Sequence, residues 1–92
     1  MANLSGTITA GGTSQQIAAF DPRRHYFSVQ NLSSEDLWVD FGTAAVADQP
    51  SYKVESGQIG QWELSARELI CRSISIIGAT TGSKFTAKDS IV

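Results

Sequence analysis

The side chains that most often carry out chemistry are few in this chain and follow no catalytic spacing. Its one histidine, His25, follows Arg23 and Arg24, and no motif ties it to a nucleophile in a catalytic triad. Its one cysteine, Cys71, can form neither an intrachain disulfide nor a zinc site of thiolates. We expect His25 at a rim or interface and Cys71 in the core, because a lone cysteine between apolar residues is usually a small core side chain.

Nine acidic side chains could supply a carboxylate pair for general acid–base catalysis. Turn hydrogen bonds and hydration explain the five that fall in predicted turns or in the C-terminal tail. These five are Asp21, Glu35, Asp36, Asp48 and Asp89. Asp40 lies in the middle of a predicted strand beside Trp38, on the face opposite the core, where we expect a solvated residue or an interface contact. The sequence therefore predicts a protein that is not an enzyme, with no metal or cofactor site.

Three aromatic side chains are predicted to point away from the core and could bind a ligand: Tyr26, Trp38 and Tyr52. Aromatic rings offer apolar faces to sugar rings, so a carbohydrate- or receptor-binding module is one hypothesis. A stacking platform for single-stranded nucleic acid usually lies in a basic groove. The chain has seven basic and nine acidic side chains and a net charge of −2, with no basic run. Nucleic acid is therefore not an expected partner.

Turn-forming residues recur about every 8 to 12 residues, and the short runs between them are β-rich, which is typical of an all-β protein. We predict one domain of 92 residues, a single antiparallel β-sandwich, jelly-roll-like, of about eight short strands. Residues 1–12 are a candidate N-terminal arm. Alternation of apolar residues predicts strands at 24–31 and 37–41. The predicted core residues are Phe27, Val29, Leu37, Val39, Phe41, Ile74, Ile76 and Phe85.

Three turns that contain glycine predict β-hairpins in which the flanking strands pair edge to edge. The predicted pairs are 4–9 with 15–19, 51–55 with 58–64, and 73–78 with 84–88. Between them, residues 65–72 have the only helix-like composition and form either a short helix or a loop that leads into a strand. Residues 43–50 are predicted to form a long surface loop or one irregular turn.

Two stretches, residues 1–20 and 73–83, carry no charged side chain. Soluble monomers usually guard exposed strand edges with lysine. We therefore expect these edges to be covered, by each other or by neighbouring subunits through strand addition. This pattern indicates an assembly module that forms a homo-oligomer. The candidate interface residues are Arg23, Arg24, Tyr26, Trp38, Asp40 and Tyr52.

Three segments resemble small virion-associated proteins of tailed bacteriophages. The segments are DPRRHYFSVQNLS at 21–33, DLWVDFG at 36–42 and IIGATTGSKFTAK at 76–88. Such proteins typically have a strand that begins with arginines and ends in Gln-Asn, and a strand that contains Trp-Val and ends in Phe-Gly. They also have a C-terminal turn with the sequence Gly-Ala-Thr-Thr-Gly. All three features stand here in that order.

The resemblance implies a β-sandwich that coats or joins phage structural proteins. A capsid decoration (cement) protein is the first expectation, and a neck, collar or tail component is the second. The implied partners are capsid or neck and tail proteins of the same virion, and the implied place of synthesis is the bacterial cytoplasm. A membrane is not an expected partner, because no apolar run approaches the ~20 residues of a membrane span.

Overall fold

A computed structural model describes residues 2–91, with only the backbone of Leu64, and shows two antiparallel β-sheets packed face to face. The strands are β1 (Ala2–Asn3), β2 (Gly6–Thr7), β3 (Gln15–Ala18), β4 (Arg24–Asn31), β5 (Leu37–Phe41), β6 (Tyr52–Val54), β7 (Ile59–Trp62), β8 (Ile74–Gly78) and β9 (Lys84–Ile91). A short 3-10 helix (Leu64–Ala66) leads into the one-turn helix α1 (Arg67–Ile70), within the stretch of helix-like composition. The predicted all-β sandwich is confirmed.

The order of the strands is that of a rolled-up antiparallel hairpin. Sheet A runs β1-β9-β4-β7, with β2 also paired to β9, and sheet B runs β3-β8-β5-β6. When β1 and β2 are counted as one interrupted strand, the first of eight strands pairs with the last. The second then pairs with the seventh, the third with the sixth and the fourth with the fifth. Two four-stranded sheets with this pairing form a jelly roll.

The three predicted hairpins do not form within the described residues. Strands β2 and β3, β6 and β7, and β8 and β9 lie in opposite sheets, so each turn crosses from one sheet to the other. The turn signals themselves are correct, because Gly57 and Gly82 have the positive φ angles of 77° and 90° that glycine permits. A tight turn reverses the chain, but it does not decide whether the two strands meet edge to edge or face to face.

Four connections that cross from one sheet to the other, which we call arches, meet at one end of the sandwich. The arches are residues 8–14, 32–36, 55–58 and 79–83. Backbone hydrogen bonds join them to one another and to neighbouring strands. Gly82 N donates to Ile8 O at 2.7 Å, and Gly57 N donates to Asn31 O at 2.8 Å. The Thr80 hydroxyl donates to the Glu35 carboxylate at 2.7 Å. Hydrogen bonds therefore connect the arches to one another at this end of the sandwich, which we call the arch end.

The predicted core is confirmed, because all eight predicted core residues are buried and belong to one apolar cluster. Ile8, Ala18, Val54, Ile70 and Ala87 complete it. Edge-to-face and stacked aromatic contacts lie at its centre, with ring centroids 6.0 Å apart for Phe27 and Phe41 and 5.8 Å apart for Phe27 and Trp62. Such pairs stabilise a core beyond the area they bury.

The candidate N-terminal arm is part of the sandwich over its described residues, 2–12. Ala2 lies opposite Asp89 and Gly6 lies opposite Phe85, so β1 and β2 form an edge of sheet A. Ile8 is fully buried between the sheets. The expectation of a separate arm is wrong because Ile8 anchors this segment in the core; Met1 lies outside the described residues.

Candidate interaction surfaces

The three predicted ligand-binding aromatics lie on three different surfaces. Tyr26 is on the outer face of sheet A, where its hydroxyl donates to Gln61 Oε1 at 3.1 Å. Trp38 is on the outer face of sheet B, opposite Ile77 in the register of β5 and β8. Tyr52 lies at the β6 edge, with its ring centroid 5.9 Å from that of Trp62. They therefore do not form a single stacking platform.

Arg24, a predicted interface residue, is an interior residue instead and is 3% exposed. Its Nε donates to Asp89 Oδ2 at 2.8 Å, and its Nη1 donates to the carbonyls of Ile70 and Arg72. Its Nη2 donates to Ala19 O at 3.0 Å. The expected solvation of Asp89 is also wrong, because β9 continues through the predicted tail and turns this carboxylate inward. A buried guanidinium persists only when it is paired in this way.

Arg23, the neighbouring predicted interface residue, is exposed. Its side chain is 67% exposed, and its Nε lies 3.4 Å from Asp21 Oδ1. The backbone N–H of Arg23 donates to the same oxygen at 2.9 Å. This hydrogen bond is the main reason that the pKa of the Asp21 carboxyl lies below its ordinary value. Because most of its side chain is exposed, the Arg23 guanidinium is accessible at the surface.

Asp40, another predicted interface residue, is buried beneath the loop of residues 42–51. The Ser51 hydroxyl donates to Asp40 Oδ2 at 3.0 Å and accepts the Val46 N–H at 2.9 Å. The Ala45 N–H donates to Ser14 Oγ at 2.9 Å, so the loop reaches across sheet B to the start of β3. The expectation of a solvated residue or interface contact is wrong, because this loop supplies the covering that a partner was expected to supply. Of the three alanines in this loop, Ala45 is the one that packs closely and is buried.

A groove remains open beside this loop, with a volume of about 530 Å³. Trp38 and Ile77 form its floor, Val46 and Ala47 form one wall, and Glu35 and Asp36 stand at its mouth. We call it the Trp38 groove.

A cation already occupies part of the mouth of the Trp38 groove. Lys53 Nζ lies 3.7 Å from Asp36 Oδ2 and 5.9 Å from the centroid of the Trp38 ring. Glu35 accepts the Thr80 hydroxyl and has no basic partner among the ion pairs of the described residues. One carboxylate at the mouth is therefore free of a counter-charge.

A second cavity, of about 610 Å³, lies at the opposite end of the sandwich. It is lined by Phe20, Gly42, Glu68, Cys71, Arg72 and Ser73. The expectation that Cys71 is a core residue is wrong. It is half-buried, because it follows α1 at the surface, and its Sγ lies 3.6 Å from Glu68 O. Phe20, at 64% exposure, is the most exposed large apolar side chain among those that the structure describes.

The two charge-free stretches of the sequence meet at one margin of the sandwich. β3 pairs with β8, and the arch 8–14 contacts the arch 79–83. We call β1, β2 and β3, together with these two arches, the charge-free margin. Within residues 2–91, the outer edges of β1, β2 and β3 have no strand partner.

Comparison with known proteins gives no relative. No protein-family model, no curated protein and no solved structure matches this chain. Residues 2–91 contain no group of three His, Cys, Asp or Glu side chains placed to hold a metal ion. In the same part of the chain, no helix has the length and apolar character needed to cross a membrane.

These surfaces differ in the chemistry that they offer. The Trp38 groove combines an apolar floor with carboxylates, which accept hydrogen bonds but cannot donate them when ionised. It therefore suits a ligand with an apolar body and donor groups. The charge-free margin offers backbone N–H and C=O groups and small polar side chains, which suit pairing with another strand.

Proposed function

We propose that this protein is a non-enzymatic structural component of a tailed-bacteriophage virion, which coats or stabilises the capsid by binding neighbouring capsid subunits. The observation that carries this proposal is the charge-free margin. In a domain of this size, three strand edges without a charged side chain are an unusual solvent-facing surface. Contact with other subunits would cover them.

The edge formed by β1 and β2 is the better attachment site within the margin. β3 carries a bulge between Gln16 and Ala18, and a bulge is a common way to keep an edge from pairing. Along β1 and β2, Asn3 and Thr7 are exposed and uncharged. A strand of a capsid subunit added here would extend sheet A, with backbone hydrogen bonds supplying affinity.

The resemblance to phage virion proteins supports the same proposal. Its three segments contain β4, β5 and the β8–β9 arch. The residues that carry the resemblance stabilise the fold. Asn31 joins the arch of residues 32–36 to β6, and Gly42 ends β5 with a φ of 80°. Jelly rolls occur in viral capsid proteins and in lectins, which is support by analogy of fold.

Two other functions are alternatives to capsid decoration. A neck, collar or tail component would use the same margin but at a low copy number set by a ring. A carbohydrate- or receptor-binding module is favoured by the Trp38 groove, where an indole lies beside two carboxylates that could accept sugar hydroxyl protons. Loss of glycan binding in a Trp38→Ala variant would be its signature.

The test is binding of the purified protein to phage particles that lack it. We expect saturation at a high, fixed copy number and loss of binding in a variant with Asn3→Lys and Thr7→Lys, because two lysines guard the proposed edge. The matched control, Ile59→Lys with Gln61→Lys, places the same charge on β7 at the other edge of sheet A and should bind normally. A low copy number would favour the neck, collar or tail, and absence of binding would overturn the proposal.

A further inference from the structure

The most exposed large apolar side chain and the Trp38 groove lie at opposite ends of the molecule. Phe20 shares a cavity with Ser73, just before β8, whereas Gly78, at the end of β8, borders the groove. The five residues of β8 span about 17 Å, so Phe20 cannot reach the groove of its own chain. We propose that Phe20 of one copy enters the Trp38 groove of a second copy, so that the protein associates head to tail.

The shapes and surfaces of the two sites are complementary. Phe20 projects from the loop between β3 and β4, where it is 64% exposed. The groove, at about 530 Å³, is larger than one phenyl ring, and its walls include Val46, which is 42% exposed. Inserting the ring against Trp38 and Ile77 removes apolar surface from water on both copies and forms an aromatic pair.

Charge fixes the orientation of this contact. Arg23 follows Phe20 in the same loop, and Arg67 donates to Pro22 O at 2.9 Å, so arginines flank the inserted side chain. At the groove mouth, the Glu35 carboxylate accepts the Thr80 hydroxyl and has no basic partner among residues 2–91. Arg23 is held by Asp21 at 3.4 Å, a long contact that an exposed arginine can exchange for a carboxylate of the second copy.

The proposed contact joins two different surfaces, so it is heterologous. Such a contact generates a closed ring if the rotation between copies closes, and a filament if it does not. It leaves the outer edges of β1 and β2 free for attachment to a particle. It is also independent of the proposed function, because it is tested on purified protein without particles.

The experiment is sedimentation velocity over a range of concentrations, with two variants that each damage one half of the contact. Phe20→Ser removes the inserted ring, and Ala47→Trp fills the groove from an exposed wall position. Each variant alone should self-associate at least about tenfold more weakly than the unchanged chain. An equimolar mixture should form a 1:1 dimer, because one copy keeps its groove and the other keeps its Phe20.

Two controls separate this contact from general stickiness. Ile59→Ser removes a comparably exposed apolar side chain and should leave association unchanged. Arg23→Glu or Glu35→Lys alone should weaken association, and the two together should recover part of it, because the charges are exchanged. The proposal is overturned if the unchanged chain stays monomeric, if Phe20→Ser associates like it, or if the mixed variants form no dimer.

Discussion

Arg24 Nε lies 2.8 Å from Asp89 Oδ2 in the interior of the protein, where the two side chains are only 4% and 3% exposed. They join the start of β4 to the end of β9, while the rest of the guanidinium binds the carbonyls of Ile70 and Arg72 at the end of α1 and of Ala19 after β3. One residue therefore ties three separate segments together at the end opposite the arches.

We expect Asp89→Ala to lower the free energy of unfolding by ~3–5 kcal/mol, because it leaves a buried guanidinium without its counter-charge. Arg23→Gln, the control, breaks an exposed ion pair and should cost less than ~1 kcal/mol. Urea unfolding measures both. Replacing the pair with Arg24→Met and Asp89→Leu removes both charges but leaves the carbonyls of Ile70, Arg72 and Ala19 without their donor, so it should restore only part of the loss. Equal effects of Asp89→Ala and Arg23→Gln would contradict the assigned role.

At the other end, Asn31 joins the arch of residues 32–36 to β6. Its Nδ2 donates to the carbonyls of Glu35 and Val54, and its Oδ1 accepts the N–H and hydroxyl of Ser33. Asn31→Asp keeps the shape but turns an acceptor toward two carbonyls, so we expect a loss of ~3 kcal/mol at neutral pH.

The same variant should have a characteristic pH dependence. Burial and the facing carbonyls raise the pKa of the new carboxyl in the folded state above its unfolded value. The loss should therefore be full above the folded-state pKa and shrink as the pH falls below it, since the protonated acid can donate. Gln30→Glu, on the outer face of β4, should show neither effect, and a loss in Asn31→Asp that does not change with pH would refute the explanation.

Phe41→Ala should cost ~3–5 kcal/mol in the free energy of unfolding, because Phe41 is 5% exposed and contacts the rings of Phe27, Tyr52 and Trp62. That loss is comparable to the whole stability of a small domain. Ile59→Ala, at a side chain 58% exposed, is the control and should cost little. Thermal or urea unfolding measures the loss for both variants. A loss below ~1 kcal/mol for Phe41→Ala would contradict its place in the core.

Deleting residues 2–12 should prevent folding, because it removes β1, β2 and the fully buried Ile8. Ile8→Ala alone should cost ~2–5 kcal/mol. Deleting only residues 2–3, which are exposed, should leave the cooperative unfolding transition in place. Circular dichroism and urea unfolding report all three, and a folded 2–12 deletion would show that this segment is an arm after all.

Attachment to particles should persist at about 1 M salt, because backbone hydrogen bonds and apolar contacts are screened far less than exposed ion pairs. The head-to-tail association of free copies should weaken in the same salt, because Arg23 and Glu35 contribute to it. Cosedimentation with particles and sedimentation of the free protein measure the two effects. Release from particles by moderate salt would make exposed Arg23 the better candidate anchor.

Local patterns in the sequence determined the core, the turns and most of the strands, although the predicted strand 4–9 does not include β1. The alternation in residues 24–31 and 37–41 predicts β4 and β5 with the bounds that the structure has, and it places Phe27, Val39 and their neighbours on the buried face. Alternation is a property of one strand, so it can be recognised without knowing the strand's neighbours. Helix-like composition likewise indicated the short helical segment before β8.

Only the tertiary structure decided which strands pair and which polar groups are buried. The turns at Gly57 and Gly82 fit a hairpin or an arch equally well, and the choice depends on pairing between distant strands such as β4 and β9. Arg24 and Asp89 become an interior pair only because that pairing brings residues 65 positions apart into contact. Asp40 is buried by the loop of residues 42–51, and the alternation of apolar and polar residues does not predict where a loop lies. Strand partners and the environment of a charge are set by contacts across the chain, which a local pattern does not contain.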